Sequence, residues 1–316
     1  MSIQQNSNKT TFKYRADFKN YLLLVLKNVL FSLLSLCFYA PWAIVKAKKF
    51  NMKNIEIFGE RFRYTGKGID ILKGILIAIP IYFAFIVLSA LSARPMQIAL
   101  NHNILQSDII LGVLMISLSV IFMVILYLSL IVLIALAIHS SISYEAKNIY
   151  YKDMSFSLVS SHTKFARKIL AGFILTFMSL GIYSSWFIVN IRKYIFGNLK
   201  YGELSFRYDG KGSKLFVLHL VGTCLSIVTL GVYAFKFQAN LINDFNNNLK
   251  LYKNDSEVSF SSHVTGKEVF MLTIVNILIL VGTLGLGFPY VLFRNNKFMI
   301  NSLSIDCDAS FIEDNA

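Results

Sequence analysis

Apolar positions in this chain gather into six runs, at residues 29–45, 71–91, 109–138, 169–191, 215–235 and 269–293. Crossing ~30 Å of hydrocarbon takes ~20 apolar helical residues, and runs of this kind are natural single spans. The pattern therefore predicts an all-α polytopic membrane protein with about six apolar helical segments. Between the runs the period changes. Residues 55–64 alternate apolar and polar about Gly59, and residues 199–208 do so about Gly202, which predicts short membrane-proximal β-hairpins. A lone hairpin is marginal in water, so several on one side are expected to pack into a small sheet layer.

The runs share a motif. Four stretches align without gaps: Ser35-Leu-Cys-Phe-Tyr-Ala-Pro-Trp42, Ser179-Leu-Gly-Ile-Tyr-Ser-Ser-Trp186, Thr229-Leu-Gly-Val-Tyr-Ala-Phe-Lys236 and Thr283-Leu-Gly-Leu-Gly-Phe-Pro-Tyr290. Eight residues before each leucine stand Asn28, Gly172, Gly222 and Asn276. Twelve residues after the Trp position stand Asn54, Asn198 and Asn248, and eight beyond the first two stand Phe62 and Phe206. A further hairpin, Asn148 to Phe156, keeps the eight-residue step. Regular spacing of this kind predicts duplication. A polar basic tail, 1–20, would precede one repeat-built membrane domain, 21–312. Its units lie near 21–70, 109–164, 165–213, 215–267 and 269–312, with a short tail at 313–316.

Tyr39 and Trp42, Tyr183 and Trp186, and then Tyr233 and Tyr290 read as an interface belt, since amphipathic rings favour the headgroup level. Lysines and arginines follow each belt, at Lys46, Lys48, Lys49, Arg192 and Lys193. The net charge of +14 thus changes meaning. It reads as topology plus attraction to a bilayer with anionic headgroups, and not as nucleic-acid binding. Six single crossings would divide Lys and Arg weakly between the two sides. Placing every hairpin on the cytoplasmic side leaves 29 against Arg94 alone, with Lys27 inside a run. That arrangement requires the belt segments to enter and return. Six helical segments remains the predicted fold, with a homo-oligomer left open.

Leu-Gly-Ile-Tyr-Ser-Ser-Trp, Arg192-Lys-Tyr194, Asn198 and Phe206-Arg-Tyr-Asp-Gly resemble the YjgN-like family of bacterial inner-membrane proteins, a family of unknown function. The resemblance extends from about Phe18 to about Phe311. It implies a multi-pass inner-membrane location and no particular reaction. Lys236 and Gly287 depart from the family pattern, which has aromatic residues there.

Candidate chemistry is sparse. Asn28, Asn276, Lys27 and His219 are polar groups within or beside apolar runs, and such groups are functional candidates by default. Asn28 and Asn276 occupy equivalent places, so a polar site shared between the first and last units is the sharper reading. Satisfaction by a neighbouring helix is the plainer one. His162 and His263 each follow Ser-Ser and would pair only if their hairpins stack. Gly66-Lys67-Gly68, Gly210-Lys-Gly212 and Gly266-Lys267 lack phosphate-loop spacing and read as membrane-edge turns. Cys37, Cys224 and Cys307 show no metal or disulfide spacing. The lack of a short apolar core near the N-terminus argues against a cleaved signal. No catalytic set, cofactor motif or metal site is expected. Two functions remain: transport of a small solute, ion or lipid, and a non-transporting envelope scaffold or partner-binding protein.

Overall fold

The computed structural model describes residues 9–101, 104–253, 256–307, 309 and 311. The tail at 313–316 and the first part of the N-terminal tail lie outside these. Two compact units emerge: residues 1–68, 142–160 and 172–316 form the first, and residues 69–141 with 161–171 the second.

The first unit is built on an antiparallel sheet of eleven strands. In chain order they are β1 (Lys9–Thr11), β2 (Lys13–Tyr14), β3 (Ile55–Ile57), β4 (Glu60–Tyr64), β5 (Ile149–Tyr151), β6 (Met154–Leu158), β7 (Leu199–Tyr201), β8 (Leu204–Tyr208), β9 (Leu249–Lys253), β10 (Ser256–Ser261) and β11 (Ser304–Asp306). The sheet order is β1-β11-β10-β9-β8-β7-β6-β5-β4-β3-β2. Its two ends are consecutive in sequence. Lys9 pairs with Asp306 on one side, while Tyr14 pairs with Ile55 on the other. The stretch 9–14 thereby closes the sheet into a barrel, which leaves no long open edge. The first hairpin turns through Phe58 (φ 52°) and Gly59 (φ 82°), the left-handed pair that matches strand twist.

Alternation along the strands sends apolar side chains inward. Phe12, Phe62, Phe156, Phe206 and Phe260 form a complete ring, with successive centroids 6.0–6.5 Å apart. Below it Ile57, Tyr151, Tyr201, Leu204, Leu251 and Ile305 fill the barrel. The Tyr201 hydroxyl donates to the Tyr151 carbonyl (2.8 Å) and the Tyr151 hydroxyl to that of Ile57 (3.2 Å), so both buried phenols are satisfied. The outer face carries charge, including Lys250 between Asp209 and Glu257.

Helical pairs connect the strands. These are α1 (Phe18–Leu34) with α2 (Ala40–Lys53), α6 (His162–Met178) with α7 (Ser184–Phe196), α8 (Gly212–Val228) with α9 (Ala234–Asn247), and α10 (Gly266–Gly282) with α11 (Phe288–Asn301). Neighbouring pairs pack through α7 on α8, α9 on α10 and α11 on α1.

The all-α expectation of about six apolar segments is overturned. The sheet is a principal layer of the first unit, and four of the six runs are each two helices joined by a turn. At 17 residues, α1, α6, α8 and α10 are each ~25 Å long, short of a full span. Hydropathy could not reveal the breaks because the turn residues are themselves apolar.

Among the described residues two helices are long and apolar enough to cross a membrane, and most of each lies in the second unit: α3 (Gly68–Asn101) and, after the short α4 (Ile104–Ser107), α5 (Ile109–Asn148). Their apolar windows are almost wholly unburied. Pro80 and Pro95 lie inside α3. One turn of a proline helix loses backbone partners, and beside Pro95 the Met96 N–H donates to Ser119 Oγ at 3.0 Å. Phe85 meets Tyr127 edge-on at 5.4 Å between centroids.

Candidate functional site

The Ser/Thr-Leu-Gly motif is the turn between paired helices. Leu36, Leu180, Leu230 and Leu284 have φ of 47–52°, and the next residue is also left-handed: Cys37 at 68°, Gly181 and Gly231 at 91°, Gly285 at 87°. Glycine takes that conformation without strain, and Cys37 does not. The N–H of this second residue donates back to the carbonyl five residues earlier: Cys37 to Ser32, Gly181 to Thr176, Gly231 to Ser226 and Gly285 to Leu280, each 2.7 Å. The Ser or Thr hydroxyl completes the turn. Those of Ser35, Ser179, Thr229 and Thr283 accept the N–H of Tyr39, Tyr183, Tyr233 and Gly287 at 2.7–2.9 Å. Each also donates to a carbonyl of the preceding turn. The leucines at the tips are 91–95% exposed. Backbone polarity is thus consumed internally while bare leucine is displayed.

The belt aromatics pack beneath these turns. Tyr39 stacks on Trp42 and Tyr183 on Trp186, with centroids 6.4 and 6.3 Å apart. The tryptophans are half-buried against the first residue of a following helix. A Cβ on Gly68 would lie 2.8 Å from the Trp42 ring, and one on Gly212 would lie 2.4 Å from Trp186. Gly66 and Gly210 are likewise covered by the rings of Tyr64 and Tyr208. The Gly-Lys-Gly motifs are therefore close-packing sites at helix entrances. Tyr233 is half-buried and Tyr290 exposed, with Lys236 Nζ and Arg294 Cζ 5.8 and 6.0 Å from their respective rings.

Asn28 and Asn276 each turn inward to their own hairpin. Asn28 Nδ2 donates to the Ala43 carbonyl at 3.2 Å. Asn276 Nδ2 donates to Asn295 Oδ1 (2.8 Å), and its Oδ1 accepts from Arg294 Nη1 (2.9 Å). At the equivalent places Gly172 and Gly222 lie under the rings of Phe187 and Phe237, where a Cβ would sit 2.1–2.2 Å from ring carbons. Aligned across the turn, Ala43, Phe187, Phe237 and Val291 are equivalent. A large ring requires glycine opposite, and a smaller side chain leaves room for asparagine. His219 Nδ1 lies 3.1 Å from Ser185 Oγ. Lys27 is exposed. His162 faces His139, with Nδ1 atoms 2.9 Å apart, and not His263. Among the described residues no three metal-binding side chains converge.

A cavity of about 530 Å³ opens beside α10 and α11, lined by Lys9, His263, Glu268, Leu272, Arg294 and Lys297 among others. No motif announced it, because its residues come from β1, the 262–265 loop, α10 and α11. Phe62 and Phe206 lie in the barrel interior, so they cannot form a partner surface.

Comparison with known proteins decides the family. Residues 9–211 and 234–313 match the family described as bacterial proteins of unknown function, DUF898. The chain belongs to that family. Over 76 residues it is 32% identical to inner membrane protein YjgN of Escherichia coli O157:H7, and equally to that of Escherichia coli strain K12. Each match covers 24% of this chain and 19% of the relative's length. No solved structure matches. This DUF898 protein is a membrane protein of uncharacterised function, as the resemblance implied. The family match omits only 212–233 within the barrel-and-hairpin region, which is α8 with its turn. That segment nevertheless keeps the turn geometry of the other three.

Proposed function

We propose that this DUF898 protein is a multi-pass inner-membrane scaffold that does not transport, held by α3 and α5 and by helical hairpins that dip into one leaflet and return. The supporting observation is the hairpin tip: four leucines fully displayed on turns whose backbone groups are satisfied internally. Hydrocarbon offers no water to satisfy backbone, so only such a turn suits it. From Arg192 back to Ser184 is about 12 Å of helix, with the leucine turn beyond it, a depth that stays within one half of the ~30 Å core. The barrel, with its charged outer face, then stands on the cytoplasmic side, consistent with Lys and Arg falling 29 to 1. The recurring hairpin–strand unit is consistent with duplication. Transport finds less support, because apolar side chains fill the barrel.

Introduced cysteines test this reading. Those at Glu60, Lys152 and Glu203 should react with a membrane-impermeant reagent only in opened cells. Those at Leu180 and Leu230 should resist it in both states. Labelling of Glu203 from outside, or of the leucine tips from water, overturns the scaffold's placement.

A further inference from the structure

We propose that the cavity beside α10 and α11 binds a phosphate-bearing anion, such as a phospholipid headgroup or a soluble phosphate ester. Three cationic side chains from two elements converge on it: Lys9 from β1, and Arg294 and Lys297 from one face of α11. No ion pair among the described residues engages any of the three. His263 adds an imidazole.

Among the described lining residues Glu268 is the one carboxylate. Glu268 Oε2 accepts the Thr265 N–H and hydroxyl, both at 2.8 Å, in the capping box of α10. Among the described residues no ion pair joins it to Lys9, Arg294 or Lys297, so the cap, not these cations, holds its position. Arg294 is positioned from behind. Asn276, only 8% exposed, accepts one guanidinium N–H and is itself held by Asn295. Fixing one edge of the guanidinium lowers the ordering cost of a bidentate contact made by the rest. The asparagine that hydropathy marks as an intramembrane candidate thus acts as a positioning residue for an arginine. Leu272 provides an apolar wall next to these charges, an arrangement that fits a headgroup with its glycerol attached. The lipid form of the proposal rests on the leaflet placement argued above; the anion site does not.

The experiment uses full-length protein. Retention of phosphatidylglycerol is measured after exchange from nanodiscs of mixed phosphatidylglycerol and phosphatidylcholine. Inorganic phosphate binding is measured by calorimetry in neutral detergent. R294Q/K297Q should weaken binding roughly tenfold or more, the effect of losing charge-assisted contacts. Asn276→Leu should weaken it less, and Lys200→Gln on the barrel not at all. If R294Q/K297Q does not fold, K9Q/K297Q serves in its place. Loss of phosphatidylglycerol retention supports a headgroup site, and loss confined to inorganic phosphate supports a soluble ester. Unchanged binding in both arms, or an equal loss in Lys200→Gln, overturns the proposal. Phosphate binding that persists in a protein whose introduced Leu284→Cys labels from water would remove the leaflet placement alone.

Discussion

At Gly172 a missing side chain determines how α6 and α7 approach, because the Phe187 ring occupies the volume a Cβ would need. Gly172→Leu should therefore destabilise the protein by about 1–3 kcal/mol, as overpacking does. Adding Phe187→Ala should recover part of that loss. A double-mutant cycle of thermal unfolding in detergent reads the coupling, and additive losses would show that the two residues do not pack against each other. Asn28 opposite Ala43 is the same position solved with the sizes exchanged. The alignment put Asn28, Gly172, Gly222 and Asn276 in one column but could not explain it. The explanation lies in a second column, fifteen residues from the first on the far side of a turn that the apolar pattern conceals.

Among the elements, α10 has the best-defined beginning. Thr265 and Glu268 cap it reciprocally, and those two hydrogen bonds from Thr265, backbone first, hold the Glu268 carboxyl below the usual carboxylate value. A carboxylate lowered in the folded state contributes stability above its unfolded pKa of roughly 4.3, and loses it as pH falls through the folded value. Amide protection in the first turn of α10, taken relative to the intrinsic exchange rate, should accordingly be high at neutral pH and fall as the Glu268 carboxyl becomes protonated in acid. Thr265→Ala should cost about 1 kcal/mol and remove that acid sensitivity. An unchanged pH profile in Thr265→Ala would show that the cap is not its source. The Thr-Gly-Lys-Glu order was visible in the sequence. Its meaning was not, because the preceding glycine-lysine motifs suggested a membrane-edge turn instead of a helix start.

At the scale of the molecule, closure by the stretch 9–14 makes five phenylalanines into one ring. Phe206→Ala removes one member of it and should cost about 3 kcal/mol. The loss should appear as a single lowered unfolding transition if the barrel is cooperative. A selective loss of the β8–β9 pairing alone would show that the ring does not unite the sheet. The eight-residue step exposed Phe62, Phe156 and Phe206. Phe260 escaped because it lies twelve residues after Asn248, in a hairpin whose strands run five and six residues. Phe12 escaped because Gln4, not an asparagine, stands eight residues before it; its place in the ring follows only from pairing across almost the full length of the chain.

Hydropathy, charge distribution and motif spacing by themselves determined a membrane protein with recurring basic hairpins, because burial in lipid and alternation along a strand are local demands that each segment records. The tertiary structure alone decided that four runs turn back, that eleven strands close, and that Arg294, Lys297 and Lys9 meet. Turning back depends on left-handed residues that read as ordinary apolar positions. Closure and convergence depend on partners hundreds of residues apart, whose match no local pattern encodes.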